Sequence, residues 1–292
     1  MTPQNGSKRQ DGTRVRAYRA GASMARERMA REAPADAALL ERVEASDIVV
    51  VPGSYDHVEL VLDALAMPYL SVGAAQLAGV RLRPEQLLVV NCPGTGLGRA
   101  LPAVERFIRA GGSLFTTDWA LRHVLEPLFP GTVRFNQRPT ADDVVRIEVR
   151  RHDNPFLSGV MDGRDDPQWW LEASSYPIQV VDPARVEVMI ASSELGAKYG
   201  EPAVAVLFHH GEGEVFHMIS HYFLQRTELR GMRHQQPATA YFTEKDVPVA
   251  PGVGAMAQGL SLGDIESAAS SARLLANVVA AKKRRAAREA TR

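Results

Sequence analysis

Two polar residues that follow apolar runs are of the types that move protons or anchor a ligand. Asp118 comes after Ser113-Leu114-Phe115-Thr116-Thr117, and His221 closes Val215-Phe216-His217-Met218-Ile219-Ser220. A carboxylate that orients an imidazole makes a general base or a ligand anchor if the two strand ends meet. The plainer alternative is a structural hydrogen bond. Cys92 holds a comparable place, between Leu87-Leu88-Val89-Val90-Asn91 and Pro93-Gly94. Near a helix N-terminus its thiol would be acidified and reactive; as a small buried residue it would only pack. Gly94-Thr95-Gly96-Leu97-Gly98 could admit a phosphate at the next helix, although it lacks the Lys-Ser/Thr of a P-loop. His209, His210, His217, His221 and His234 crowd one stretch, without His-Glu-x-x-His or Cys-x-x-Cys spacing. No metal and no cofactor is therefore expected. Trp169-Trp170-Leu171-Glu172 reads as packing in the same neighbourhood or over the sheet.

The elements that must position these residues alternate between strands and helices. Ile48-Val49-Val50-Val51 and Leu87-Leu88-Val89-Val90 are continuous apolar runs, as expected of strands buried on both faces. Helical spacing follows each, at Val58, Val61, Leu62 and Leu65 and at Leu101, Val104, Phe107 and Ile108, the second stopped by Gly111-Gly112. Residues 113–117 form the next strand. Alternation at this spacing predicts an α/β doubly wound, mainly parallel sheet. Ligands then bind beyond the carboxyl ends of the strands, where 53–57, 91–96, 116–119 and 220–222 converge. The expected ligand-binding residues are Asn91, Gly94, Thr117, Asp118, Trp119 and His221. Further on, Val145, Ile147 and Val149 are expected on one face of a half-exposed strand. Residues 187–191, 203–208 and 214–219 are expected strands, the last two joined through a 209–213 hairpin loop.

The order of these motifs resembles the class I glutamine amidotransferase-like superfamily, and within it the trehalose-utilisation-type branch. The resemblance rests on Val89-Val90-Asn91-Cys92-Pro93-Gly94, on Ala110-Gly111-Gly112-Ser113-Leu114-Phe115-Thr116-Thr117-Asp118-Trp119, and on Gly211-Glu212-Gly213-Glu214-Val215 leading to His221. It covers about residues 47–225 and implies a flavodoxin-like fold, with His221 at the family's histidine. It also implies a cysteine at the sharp turn after the third of these strands, where this chain has Asp118 followed by bulky Trp119. The family's third catalytic member would fall at Phe223, which is no carboxylate. Glutaminase activity is therefore not expected.

The chain has 292 residues, a single cysteine and a net charge of zero. No run approaches the ~18 apolar residues of a membrane span. With no secretory segment visible and no disulfide to form, a cytoplasmic setting is expected. The zero hides an asymmetry: residues 1–32 hold eight Lys/Arg against three Asp/Glu, and residues 273–292 seven against one. The sequence divides into a basic, partly disordered and partly helical extension (1–45, the first twenty residues disordered and Pro34 splitting the helix), an amidotransferase-like domain (46–226), an irregular segment (227–260), and a C-terminal helix with a basic tail (261–292). Basic ends on an acidic body suit a protein partner or self-association. No aromatic interleaves with the Arg-rich tail, which leaves nucleic acid a minor candidate. The expected function is a non-catalytic amidotransferase-like module that binds a ligand or a protein partner. The alternative is a hydrolase using Asp118 and His221, with or without a metal.

Overall fold

The computed structural model describes residues 4–222 and 231–289, with side chains from 12 to 288. Its strands are β1 (Ile48–Val51), β2 (Leu70–Ser71), β3 (Leu87–Val90), β4 (Ser113–Thr117), β5 (Val133–Phe135), β6 (Asp143–Arg146), β7 (Glu148–Val149), β8 (Gln168–Leu171), β9 (Ile178–Val180), β10 (Val186–Ala191), β11 (Ala203–His210) and β12 (Gly213–Met218). The helices are α1 (Gln4–Glu32), α2 (Pro34–Leu40), α3 (Val58–Ala64), α4 (Leu101–Arg109), α5 (Glu126–Leu128), α6 (Ser193–Tyr199), α7 (Ala238–Glu244), α8 (Pro251–Ala257) and α9 (Leu262–Glu289).

The main sheet is mixed. Its parallel half runs β2-β1-β3-β4-β12, the 2-1-3-4-5 order of flavodoxin-like folds. The apolar runs of β1 and β3 are wholly buried, as strands covered on both faces must be. Beyond β12 the sheet turns antiparallel through β11, β10 and β7, with β9 beside β11 and β5 beside β9. The hairpin between β11 and β12 is tighter than a 209–213 loop, since His210 already pairs with Gly213. Gly213 has no room for a side chain: a Cβ there would lie 2.0 Å from the Ile108 carbonyl oxygen.

Three expectations are corrected. Residues 144–149 do not form one strand: β6 pairs with β8 in a separate two-stranded sheet, while β7 pairs with β10. The alternation fails because both Val144 and Val145 are covered. The first twenty residues are not disordered from position 4 onward, since α1 begins there. Ala17, Tyr18 and Ala20 are buried, and Gly21 lets α1 approach α9 so closely that a Cβ would meet the Ala269 nitrogen at 2.7 Å. The stretch 227–260 is not irregular where it is described. Pro237 caps α7 and Pro251 opens α8, positions where a missing N–H costs nothing.

The basic C-terminal residues are largely committed within the chain. Lys283 pairs with Asp47 at 2.8 Å, Arg273 with Glu32 at 2.9 Å and Arg284 with Asp36. The Lys282 ammonium is buried and donates to the carbonyls of Pro84 at 2.5 Å and Gly111 at 2.6 Å. Replacing Lys282 with methionine keeps most of the packing but strips two buried carbonyls of their donor. We expect a loss of about 1–3 kcal/mol, read by urea unfolding; an unchanged midpoint would mean that water already serves those carbonyls. Among the described residues, no helix is long and apolar enough to cross a membrane.

Candidate functional site

β4 ends in a sharp turn at Asp118, whose backbone is left-handed (φ 45°) and whose N–H donates to the Met218 carbonyl at 2.9 Å. Such a φ is strained for a residue with a Cβ, and strain of this kind concentrates at ligand and catalytic sites. β12 ends on the neighbouring strand, and Ser220 is likewise left-handed (φ 59°). The Ser220 hydroxyl accepts the Glu172 N–H at 2.9 Å, and the Trp169 indole donates to the Ile219 carbonyl at 2.9 Å. These bonds bring the end of β8 to the crevice. The strand ends thus meet around a cavity of about 150 Å³ walled by Tyr55, Cys92, Asp118, Trp119, Glu172 and His221. That is room for several waters or one small ligand.

Asp118 is almost fully buried. Its Oδ1 accepts the Tyr176 N–H at 2.8 Å and its Oδ2 the Ser175 hydroxyl at 3.1 Å. Burial pushes its pKa up to about 6, opposed by His221 and by these donors. His221 Nε2 lies 3.7 Å from Asp118 Oδ2, and His221 Nδ1 lies 2.6 Å from Glu172 Oε2. Burial would lower the imidazole's pKa, but the Glu172 contact and the charges of Asp56 and Asp118 outweigh it, and the net direction is up. Asp56 is buried behind them, with one carboxylate oxygen accepting the His57 N–H and the other the Tyr222 N–H.

Cys92 Sγ stands 3.9 Å from Asp118 Oδ2. The acidified thiol considered from the sequence is overturned: burial, reinforced by the Asp118 charge, drives its pKa upward. No helix starts at its strand end, because α4 begins only at Leu101. Trp119 walls the cavity without closing it, its indole donating to the Ser174 carbonyl at 2.7 Å and its rings stacked on Tyr176.

Asn91, Gly94 and Thr117 stand behind the cavity. The Asn91 amide donates to Glu59 at 2.7 Å and accepts the Val58 N–H at 3.4 Å, which fixes the start of α3. The Thr117 hydroxyl accepts the Cys92 N–H at 3.0 Å and ties the Cys92 turn to β4. Gly94 (φ 68°) packs on the turn after β4, where a Cβ would come within 3.0 Å of Ala120 and Val124. The five histidines are dispersed. His209 is exposed, His210 pairs with Glu105, His217 with Thr116, and His234 with Gln168 and Asp166. Only His221 reaches the cavity.

Glu172 is the member that sequence reasoning did not assign. The resemblance puts the histidine's carboxylate at Phe223, which lies outside the described residues, whereas the residue just after β8 supplies one from a separate strand pair. The local signal was only that Glu172 follows an apolar, aromatic run.

No family model matches this chain, and no curated protein does. Solved structures do resemble it. A GMP synthase-like protein from Thermoplasma acidophilum matches with TM-score 0.43 and 14% identity, over 62% of this chain and 86% of its own. A ThuA-like protein from Bacteroides uniformis matches with TM-score 0.40 and 12% identity, over 59% and 81%. A β-galactosidase from Rahnella sp. R3 matches with TM-score 0.40 and 13% identity over 60% of this chain, which spans only 28% of that enzyme. The fold assignment rests on the strand order.

Proposed function

We propose that this chain is an amidotransferase-like α/β module whose crevice binds a small ligand and performs no glutaminase chemistry. The observation that carries this reading is the residue at the sharp turn after β4. Asp118 holds the place where an amidotransferase would need a thiolate, and both of its carboxylate oxygens already accept hydrogen bonds. The nearby Cys92 is a protonated thiol off that turn, its pKa raised by burial and by Asp118, and a thiol is a poor nucleophile. Of the two occupants expected from the sequence, the small ligand is favoured. The crevice retains open volume beside polar side chains, while several of the basic residues that could have served a protein partner are engaged inside the chain. The hydrolase reading draws on the Asp118–His221–Glu172 line, but a carboxylate holding two donors makes a weak nucleophile.

The test pairs two measurements on the full chain. Ammonia release from glutamine should stay at the background rate. A panel of small amines, amides and carboxylic acids should contain members that change tryptophan fluorescence in the wild type and not in Trp119→Phe. Glutamine hydrolysis that disappears in Cys92→Ala would overturn the proposal, as would a panel to which the crevice is wholly silent.

A further inference from the structure

We propose that Cys92, Asp118 and His221 bind a single zinc ion, with the cavity providing its fourth, exchangeable position. This rests on the reading of the crevice as a ligand site. The donors come from the ends of β3, β4 and β12, so no spacing motif announces them. One donor atom from each lies within 4.8 Å of the other two, and all three residues are buried. Two of the separations are 3.9 Å, from sulfur to Asp118 Oδ2, and 3.7 Å, from Asp118 Oδ2 to His221 Nε2. Zinc bonds of ~2.0–2.3 Å in a tetrahedron place neighbouring donors about 3.3–3.6 Å apart. Closure therefore asks for small side-chain adjustments and no movement of the strands.

The surrounding groups point the same way independently. A histidine that ligates zinc usually gives its other ring nitrogen to a carboxylate, which fixes the ring and its tautomer. Here Glu172 Oε2 sits 2.6 Å from His221 Nδ1 and leaves Nε2 facing Asp118. The Asp118 carboxylate is held likewise, with Oδ1 bonded to the Tyr176 N–H. Charge is a third argument. Asp118 and Glu172 flank one imidazole, Asp56 lies behind it, and no lysine or arginine is among the described residues that line the cavity. A divalent cation beside the Asp118 and Glu172 carboxylates would be the largest local charge in the site.

The donor set selects the ion. Thiolate, imidazole and carboxylate together suit zinc, whereas calcium and magnesium prefer oxygen ligands throughout. On binding, the Cys92 S–H proton leaves to solvent, and the sulfur lone pair forms the bond to the metal. With three protein ligands and an open fourth position, the site has the form of catalytic zinc centres, where a bound water becomes a nucleophile near neutral pH.

The experiment uses the full chain, treated with chelator and then dialysed free of it. Calorimetric titration with Zn²⁺ should give one equivalent bound. Co²⁺ should give the visible bands of a four-coordinate ion together with a thiolate-to-cobalt charge-transfer band in the near ultraviolet. Cys92→Ser should lose that band and bind zinc about 100-fold more weakly. Glu172 is half-exposed, so Glu172→Gln should fold normally; it should keep the band and weaken binding about tenfold. Less than half an equivalent of zinc, or binding that neither variant changes, would overturn the proposal and place any bound ion elsewhere on the chain. The two readings can fail separately. A chain that takes no zinc while small ligands still quench Trp119 loses only the metal, and ammonia from glutamine refutes the module reading whatever the zinc result.

Discussion

Replacement of Arg233 by alanine is expected to destabilise the protein by about 3 kcal/mol, the low end of the range for breaking a buried ion pair, because Glu266 is buried while Arg233 is part-exposed. Arg233 joins two helices. Its Nη1 lies 2.7 Å from Glu266 on α9, and its Nε and Nη2 donate to Glu244 on α7 at 3.1 and 2.8 Å. Lys245 completes the cluster, 2.6 Å from Asp165 and 2.6 Å from Asp162. The Glu266 side chain is 1% exposed, and burial raises its pKa even with Arg233 beside it. Without the guanidinium that carboxylate keeps only the Asp166 N–H at 3.3 Å and His234 Nε2 at 3.6 Å beside it, so the loss should be greater at pH 8 than at pH 5, where protonation relieves it. Urea unfolding at the two pH values measures this. The double variant Arg233→Met/Glu266→Leu should recover most of the stability, because the desolvation cost vanishes together with the attraction. A single-variant loss below about 1 kcal/mol would mean that Glu266 is solvated.

The same cluster marks where sequence reasoning stops. Strands β1, β3 and β4 and the glycines after α4 are legible locally. A continuous run such as Ile48-Val49-Val50-Val51 can only be covered on both sides, and Gly111 takes a φ of 114° that a side chain would resist. Asp118, Cys92 and His221 were legible for a related reason: each follows an apolar run, and a doubly wound sheet sends all such ends to one edge. What was not legible depends on partners distant in the chain. Glu172 reaches His221 only because β8 pairs with β6 and is bonded to Ile219 and Ser220. The polar composition of α1 reads as disorder until α9 provides a surface that fits its alanines and Gly21. The charges of α9 read as a solvated tail, yet Lys282 is buried against two carbonyls. No local pattern distinguishes a lysine in water from one that caps a distant loop.

Acid should act on this protein first through His217. The imidazole is wholly buried in the central strand β12, where Nδ1 pairs with the Thr116 hydroxyl at 2.8 Å. Burial lowers its pKa from 6.5 to about 3, so the folded chain keeps it neutral while the unfolded chain protonates it near 6.5. Between those values the unfolded state binds more protons. The stability that His217 contributes is therefore complete above pH 6.5 and is lost as the pH falls toward 3. By pH 4 the loss amounts to about 3 kcal/mol, at about 1.4 kcal/mol per pH unit. Asp118 opposes it. Its pKa, raised by burial to about 6, makes the native state take up a proton first, which favours folding as the pH drops through that range. The wild-type profile is thus a difference of two opposed effects, and the His217→Gln variant isolates one of them. Unfolding free energies by urea at pH 7 and pH 4 should differ by about 3 kcal/mol less in His217→Gln than in wild type, and the variant's acid midpoint should lie at lower pH. Parallel profiles for the two proteins would mean that the folded chain can protonate His217, and that its place between β4 and β11 is open to water.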